Sequence, residues 1–491
     1  MSAIAPTAAP PVTGHPRRGL ILALMSSCTV LTIALVAAIN VALPSLASDV
    51  LRPSSSQLLW IVDSYVIVFA CLLIPAGAFG DRFGRKGALM GGLALFAAGC
   101  LVAALAESVP LLLAGRALSG AGAALIMPAT LSITVHAFPP EKRAQAIGGW
   151  TAATGVAGVV GNIGGGALLE DASWRALFWS AGPLALALLL VVALAAPKTA
   201  RHRASLDLPG SALLVVAFLG LLYGIIEGPE LGWASAWVLG GFALAAAVFT
   251  VYTLYALRAA NPVLDPRLFA GRALRAGAFG VTATFLGMFG LFFMNAQYLQ
   301  FAKGYTPLVT GLAIGPLAVI MMVMTRRAAE LAARLGRVPV VTGGLLLIAA
   351  GLGLMSTADA GTHYWVYAAE MSVVALGMGL SLPLLSTVIM TAVPHERAGL
   401  GSGLNSATRE VGSALGVAVV GTVLTAGFSG ALPEGVPSDS VAHALAVAGP
   451  ARHDAVVDAF TGAMSAGFRV TAIVLAVSAV LVAMWLRPSR G

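Results

Sequence analysis

Charged residues inside apolar runs of helix length are the features of this sequence that could do chemistry. Arg409 and Glu410 stand side by side in GLNSATREVGSAL, and Asp63 and Arg116 lie inside two other apolar runs. If such runs cross a membrane, a central charge costs about 2.5–3.5 kcal/mol on insertion scales, so its presence indicates a functional site. We predict that Asp63, Arg116 and Glu410 take part in binding and releasing a proton. A static buried ion pair between Asp63 and Arg116 is the alternative.

Uncharged polar residues accompany these charges. Ser402, Asn405, Arg409 and Ser413 recur at helical spacing and share one face, from which Glu410 points about 100° away. A polar face is expensive against lipid, so it should contact either a water-filled cavity or another helix. The second case predicts hydrogen bonds between helices. The first predicts a substrate cavity lined by Asn40, Asn162, Asn295, Asn405, Arg409 and Ser413.

The composition indicates which elements must position these residues. Of the 491 residues, 59% are hydrophobic and 10% are charged, whereas soluble domains carry about 25% charged residues. The chain is therefore predicted to be an all-α integral membrane protein. Its net charge is +8, but Lys and Arg concentrate in short gaps between apolar runs. This is the positive-inside pattern, and it does not indicate nucleic-acid binding.

Metal, redox and nucleotide chemistry have no support in the sequence. Cys28, Cys71 and Cys100 lie in apolar runs without metal-ligand spacing, and we interpret them as small core residues. No G-x-x-x-x-G-K-[ST] loop is present, so neither a nucleotide-driven pump nor another enzyme is predicted. We expect no cofactor and an ion gradient as the energy source.

Fourteen apolar runs approach or exceed the roughly 20 residues that a membrane-spanning helix needs. The basic gaps follow every second run, which predicts that both termini lie in the cytoplasm. Residues 1–19 form a predicted cytoplasmic tail. The polar segment 426–463 forms a predicted external loop, in which short interfacial helices are an open alternative to irregular structure. The runs cover residues 20–46, 58–79, 87–106, 110–136, 145–169, 176–196, 208–227, 236–257, 276–300, 308–330, 338–356, 364–391, 398–425 and 464–486.

An internal repeat divides the chain. Two pairs of segments resemble one another. The first pair is MPATLSITVHAFPPEKRAQAIGGW and LPLLSTVIMTAVPHERAGLGSGL. The second pair is GDRFGRK and AARLGRV, and its alignment matches Gly84 to Gly336. The repeat predicts two six-helix bundles, at 20–200 and 276–491, with a linker at 201–275 that contains two further helices. Repeats of this kind place a substrate site near the middle of the membrane, between the bundles.

The motif GAFGDRFGRKG, residues 77–87, has the most specific spacing. Its glycines permit a tight turn, and Asp81 can contact a helix N-terminus, where the backbone dipole favours a negative charge. This motif resembles one that is typical of the Major Facilitator Superfamily. Four other segments share the resemblance: LLLAGRALSGAGAALIMPATLS, GGALLEDASWRALF, IEGPELGW and NPVLDPRLF. The resemblance covers nearly the whole chain and is to the fourteen-helix drug:proton antiporter family.

The resemblance implies the Major Facilitator fold and a role for Arg116 in proton coupling. It also implies a latch between the bundles that favours the outward-open state, formed by Gly77, Asp81, Arg82, Gly84, Arg85 and Lys86. The sequence departs from the family pattern at Leu35 and Ala37, which replace an acid and a threonine, and at Asn162, which replaces a proline. Met321, and Asn405 or Ser406, stand where cation exporters of the family carry further acids.

The expected function is export of amphipathic small molecules, such as drugs or antibiotics, across the cytoplasmic membrane in exchange for protons. We expect a monomer whose partners are its cargo and the lipid bilayer. Three alternatives stay open: a dedicated exporter of one natural product or lipid, a proton-independent facilitator, and a membrane sensor that transports nothing.

Overall fold

Fourteen membrane-length helices form the described part of the protein. The computed structural model describes residues 15–42, 45, 46, 51, 55–197, 207–394, 398–433 and 441–487. Within these residues, 14 helices are long and apolar enough to cross a membrane, as predicted, and no β-strand occurs. The helices are α1 Arg18–Val41, α2 Ser55–Phe83, α3 Arg85–Ala104, α4 Val109–Ala137, α5 Arg143–Asp171, α6 Arg175–Ala195, α7 Leu208–Leu231, α8 Ala236–Ala256, α9 Arg272–Gln297, α10 Gly315–Leu335, α11 Arg337–Met355, α12 Tyr364–Ala392, α13 Ala398–Ala431 and α14 Val441–Leu486.

Shorter helical segments lie in the connections between these helices. Two are 3₁₀ turns, Pro140–Lys142 and Pro266–Ala270. A π-helical turn, Tyr298–Ala302, extends α9, and the short helix Pro307–Ala313 leads directly into α10.

The first six and the last six helices pack in the same pattern. Helix α1 contacts α4, α5 and α6, and α9 contacts α12, α13 and α14; α4 contacts α2 and α3, and α12 contacts α10 and α11. The glycines matched by the sequence repeat also agree: φ is 95° at Gly84, between α2 and α3, and 91° at Gly336, between α10 and α11. Glycine adopts this conformation without strain. Helices α1–α6, the first bundle, and α9–α14, the second bundle, are thus two copies of one arrangement.

The two bundles meet along four helix pairs, α2–α13, α4–α13, α5–α10 and α5–α12, and α7 packs on the outside of the α2–α13 seam. One end of the molecule carries the start of α1 beside the end of α4, where His15 N–H donates to the Ala137 carbonyl at 2.9 Å. The end of α14 lies near the start of α9, because Trp485 contacts Phe279. We call this end the terminal face and the opposite end the distal face.

Glycines allow very close packing inside the first bundle. A Cβ on Gly99 of α3 would overlap the backbone nitrogen of Ser119 in α4, and a Cβ on Gly115 would lie 2.6 Å from the backbone nitrogen of Ala103. Membrane helices that pack through small residues gain backbone-to-backbone van der Waals contact. This contact packs α3 directly against the backbone of α4.

The segment 426–463, predicted as an external loop with short helices, is largely helical. Helix α13 continues to Ala431, and α14 is helical from Val441 onward except at Gly449, where φ is 64° and ψ is 174°. Alanines are frequent on both sides of this break, and alanine has the highest helix propensity, which outweighs the polar residues. Residues 434–440 of the predicted loop lie outside the described residues, as do residues 1–14 of the predicted tail and 201–206 of the linker.

Gly99→Val should destabilise the protein, because the added Cβ and its two methyl groups have no space between α3 and α4; overpacking of this kind costs about 1–3 kcal/mol. Gly91→Val is the matched control on the same helix, since a Cβ there meets nothing within 4 Å. Thermal unfolding of the detergent-purified variants measures the difference. Equal melting temperatures for the two variants would contradict the close α3–α4 contact.

Candidate functional site

A buried cation lies where the two bundles meet. The Arg409 guanidinium of α13 lies 4.6 Å from the ring centre of Phe285 in α9 and 5.2 Å from that of Trp150 in α5. Arg409 is 4% exposed. An aromatic face attracts a cation electrostatically, by about 2 kcal/mol or more when both are desolvated. Since Trp150 belongs to the first bundle and Arg409 to the second, the cation joins the two bundles.

Several polar atoms around Arg409 have no hydrogen-bond partner among the described residues. They are Nε and Nη1 of Arg409, both side-chain amide atoms of Asn405, and the hydroxyls of Ser402 and Ser406. Ser402 and Asn405 are 0% exposed and Ser406 is 1% exposed. A buried polar group without a partner costs about 1–3 kcal/mol, so the cluster calls for a ligand or ordered water. Ser413 differs, because its hydroxyl donates to the Arg409 carbonyl at 2.9 Å.

The Glu410 side chain does not share the aromatic neighbours of the Arg409 side chain. Its half-buried side chain interacts electrostatically with Arg409 and with the Tyr65 phenol of α2. Gly403, two helical turns earlier in α13, packs on α2, where its Cβ would lie 2.6 Å from the Leu73 carbonyl oxygen. The carboxylate of Glu410 therefore lies along the α2–α13 seam between the bundles.

Arg116 is fully buried against the backbone of α2. Its Nε donates to the Ile61 carbonyl at 2.8 Å and its Nη2 to the Val62 carbonyl at 3.2 Å, and its guanidinium lies 4.6 Å from the Tyr65 ring centre. These carbonyls immediately precede Asp63, whose side chain lies outside the described residues. Tyr65 thus lies between Arg116 and Glu410, so two of the three predicted proton-coupling residues share one neighbourhood.

A series of polar contacts connects Tyr65 to the aromatic wall of Arg409. The Tyr65 hydroxyl donates to the Thr32 carbonyl at 3.0 Å, and the Thr32 hydroxyl donates to the Thr29 carbonyl at 2.8 Å. The Thr29 and Thr130 hydroxyls are 3.2 Å apart, and Trp150 Nε1 donates to Thr130 Oγ1 at 3.2 Å. Helices α1, α2, α4 and α5 therefore hold Trp150 in place through a continuous polar path.

The cavity predicted from the sequence contains none of the aromatic residues and none of the threonines of this site. Trp150 closes the first copy of the internal repeat, and this was the available signal for its importance. Phe285 and Thr130 lie in long apolar segments with nothing to distinguish them. Their role depends on contacts between helices that are distant in sequence.

Asp81 reaches from the first bundle to the second. Its Oδ1 lies 3.2 Å from Arg85 Nη2, and its Oδ2 accepts the Leu400 backbone N–H at 3.2 Å, in the first turn of α13. Arg85 Nη1 lies 2.8 Å from His136 Nε2 of α4. A carboxylate at a helix N-terminus is favoured by the helix dipole, so this contact holds the bundles together at the terminal face.

The other predicted latch residues contact the first bundle. Lys86 Nζ donates to the carbonyls of Ala193 and Ala196, both at 2.8 Å, at the end of α6. The Arg82 guanidinium lies 5.4 Å from the ring centre of neighbouring Phe83. Gly77 is buried within α2, and Gly84 forms the turn into α3. These residues therefore shape the terminal face around Asp81.

Three predicted cavity residues lie apart from the Arg409 cluster. Asn40 and Asn162 are exposed near the distal ends of α1 and α5, and the Asn40 amide donates to the Val36 carbonyl at 2.8 Å. Asn295 is 0% exposed near the distal end of α9, and neither atom of its side-chain amide has a partner in the described chain. The structure thus brings together Asn405, Arg409 and Ser413 of the six.

Helices α7 and α8 are fixed at both faces of the molecule. At the terminal face, Asp207 accepts hydrogen bonds from the Gly210 N–H at 2.8 Å, the Tyr255 hydroxyl at 2.6 Å and the Val263 N–H at 3.0 Å. At the distal face, Trp233 Nε1 donates to Thr422 Oγ1 of α13 at 2.9 Å. The pair is therefore attached to the second bundle beside the α2–α13 seam.

A sequence model of the family described as the Major Facilitator Superfamily matches residues 25–417. The multidrug resistance protein Stp of Mycobacterium tuberculosis is 32% identical over 415 residues, which cover 83% of this chain and 77% of that protein. The methylenomycin A resistance protein of Streptomyces coelicolor is 33% identical over 371 residues, covering 75% and 78%. The multidrug efflux pump LfrA of Mycolicibacterium smegmatis is 30% identical over 482 residues, covering 95% of each chain.

Solved structures with the same fold are more distant in sequence. The human organic anion transporter MFSD10 (TETRAN) aligns with a TM-score of 0.66 at 15% identity, over 95% of this chain and 100% of that one. A double-tryptophan mutant of XylE aligns with a TM-score of 0.64 at 15% identity, over 97% of each chain. These two likenesses establish the fold.

Asp81→Asn should loosen the contact between the bundles at the terminal face, because it removes the charge that Arg85 and the α13 N-terminus attract. A cysteine at the fully buried position 402 (Ser402→Cys), with the native Cys28, Cys71 and Cys100 changed to alanine, reports opening through its rate of reaction with a water-soluble maleimide. We expect the rate to rise about threefold or more, since capping contacts contribute about 0.5–2 kcal/mol.

Glu141→Gln provides the matched control for this experiment, because Glu141 is an exposed acid in the 3₁₀ turn after α4. Its labelling rate should equal that of the parent. An unchanged rate in Asp81→Asn would show that the Asp81–Leu400 contact does not hold the bundles closed.

Proposed function

The chain belongs to the Major Facilitator Superfamily, and we propose that it exports amphipathic small molecules across the cytoplasmic membrane in exchange for protons. The observation that carries this proposal is the Arg409 cluster, a buried group of unpartnered donors between two bundles. Transporters built from structural repeats bind their substrates at that position. The names of the relatives, which refer to drug and antibiotic resistance or efflux, support export as the direction.

The terminal face is proposed to be cytoplasmic. Arg82, Arg85, Lys86, Lys142 and Arg143 lie at this face, in the turns after α2 and α4. Positive residues concentrate in the cytoplasmic connections of membrane proteins. Both termini would then be cytoplasmic, and the contact between Asp81 and Leu400 would close the cytoplasmic side while cargo leaves toward the distal face.

Glu410 is proposed to carry the exchanged proton. Its carboxylate lies along the α2–α13 seam, whose packing must change when the bundles rock, and it is adjacent to the residue that contacts cargo. Asp63 and Arg116 are proposed to assist, because Arg116 is anchored to the backbone beside Asp63 and contacts Tyr65, which interacts with Glu410. An acid that faces a seam can meet water from one side at a time, as proton exchange requires.

The protein is proposed to function as a monomer. The proposed partners are the amphipathic cargo and the lipid bilayer, without a role for nucleic acid. A dedicated exporter of one natural product is the second candidate, because the hydrogen-bonding groups around Arg409 form a fixed set that favours a narrow range of cargo. A compound panel distinguishes the two candidates by the breadth of what is transported.

Glu410→Gln should abolish cargo accumulation driven by a pH gradient in reconstituted vesicles, because the amide cannot bind and release a proton. Exchange of labelled for unlabelled cargo, which needs no net proton movement, should continue. Asp63→Asn is expected to show the same separation of the two activities. Both activities are measured as uptake of radiolabelled cargo, with and without an imposed pH gradient.

Glu330→Gln is the matched control, because Glu330 is an exposed acid near the terminal end of α10. It should keep full gradient-driven accumulation. Wild-type flux that is unchanged when the pH gradient is collapsed would identify a facilitator and refute proton exchange. An absence of any flux in wild-type vesicles would refute transport and favour a sensor.

A further inference from the structure

The unpartnered groups around Arg409 are mostly hydrogen-bond donors. Arg409 offers N–H groups on Nε and Nη1, Asn405 offers its NH₂, and Ser402 and Ser406 offer hydroxyls that can donate or accept. The Asn405 amide oxygen is the one group in this set that can only accept. A ligand that satisfies the set must therefore be rich in acceptors such as carbonyl oxygens.

Two N–H-bearing atoms of the Arg409 guanidinium, Nε and Nη1, have no partner among the described residues although two aromatic rings lie close to the cation. The N–H bonds of a guanidinium lie in its plane and point outward, so ligand acceptors must approach in that plane. Arg409 is 4% exposed, so hydrogen bonds formed there are made in an environment of low polarity.

The charges at the site discriminate between cargo classes. A cationic cargo is repelled by Arg409 and lacks the acceptors that the donors need. An anionic cargo would neutralise Arg409 and make a proton on Glu410 easier to hold, so anion and proton would bind together. That relation suits cotransport and opposes exchange.

An uncharged cargo gives the opposite relation between cargo and proton. When Glu410 is ionised, its charge offsets that of adjacent Arg409, and a neutral ligand can cover the pair. When Glu410 is protonated, a neutral ligand would remove water from an uncompensated buried cation, which is unfavourable. Tyr65 also faces Glu410, and the Arg116 guanidinium contacts the Tyr65 ring. Cargo and proton therefore exclude one another, as exchange requires.

We infer that Arg409 and Asn405 recognise an uncharged, carbonyl-rich amphipathic molecule, whose oxygens accept hydrogen bonds at the edge of the Arg409 guanidinium. This inference rests on the proposed exchange of cargo for protons and names the cargo class of that site. It also assigns Arg409 as the specificity-determining residue and Glu410 as the residue that links cargo binding to pH.

Equilibrium binding to the purified full-length protein tests the inference with four probes built on one naphthalene body. The probes carry a 1,4-diketone, no oxygen, a carboxylate or a trimethylammonium group. We expect the diketone to bind about tenfold or more tightly than the oxygen-free probe, because hydrogen bonds to a charged group contribute that much. We also expect it to bind more tightly than either charged probe. Tightest binding of the carboxylate or the trimethylammonium probe, or no preference for the diketone, would overturn the inference.

The pH dependence provides a second readout. Diketone affinity should weaken between pH 8 and pH 6 in the wild type, whereas Glu410→Gln, whose side chain is neutral at every pH, should bind the diketone as weakly at pH 8 as at pH 6. Stronger diketone binding at pH 6 than at pH 8 would contradict mutual exclusion with the proton. The exposed-acid variant Glu330→Gln should keep the wild-type dependence.

Two substitutions separate recognition from folding. Arg409→Gln should lower diketone affinity about tenfold and leave affinity for the oxygen-free probe unchanged. Asn405→Leu, which keeps the guanidinium, should lower diketone affinity by a smaller factor. An equal loss for both probes in either variant would indicate a structural role and overturn the assignment. Should Arg409→Gln not fold, the wild-type ranking and Asn405→Leu still decide.

The binding experiment also distinguishes this inference from the proposed function. Vesicles with an imposed pH gradient report whether any probe is transported in exchange for protons, whereas the binding ranking does not depend on transport. Diketone preference without gradient-driven uptake would refute proton exchange and keep the recognition site. Gradient-driven uptake with preference for a charged probe would keep the exchange and refute the cargo class.

Discussion

The contact between the Arg409 guanidinium and two aromatic rings from different bundles is the interaction on which the site depends. A buried charge is tolerated only where the protein compensates its lost hydration. Here Phe285 and Trp150 supply part of the compensation, and adjacent Glu410 supplies a charge of opposite sign. Because Trp150 belongs to the first bundle, the environment of the cation must change whenever the bundles move relative to one another. The environment of Arg409 thus depends on how the two bundles are placed relative to one another.

Other contacts hold the helices around Arg409 together within each bundle. Close glycine packing unites α3 with α4, and a path of hydroxyl and indole contacts fixes Trp150 against α1, α2 and α4. Asp81 joins the bundles at the terminal face through a helix N-terminus, a contact that forms or breaks as a unit. Packed helices shift between discrete arrangements and do not deform continuously, so small changes in charge can select between them. Helix α7 packs on both α2 and α13, and Trp233 donates a hydrogen bond to Thr422 of α13.

Sequence reasoning succeeded where a property is local in the chain. The Asp81 motif, the matched turns at Gly84 and Gly336, and the helical spacing of Asn405 and Arg409 were all readable. The segment 426–463, predicted as an external loop with short helices, is largely helical, in keeping with the helix propensity of alanine. Polarity inside an apolar run carries no information on depth or on which neighbouring helix is faced, so the position of Asn295 relative to Arg409 was not readable.

The sequence by itself determined that the chain is a membrane protein of fourteen helices in two related halves. Apolar length, the distribution of positive charge and internal repetition are one-dimensional properties with direct physical consequences in a bilayer. Only the tertiary structure decided that Trp150 and Phe285 enclose Arg409, that Glu410 faces Tyr65, and which polar groups lack partners. Those facts depend on side-chain directions and close approaches between helices distant in sequence, which no local pattern specifies.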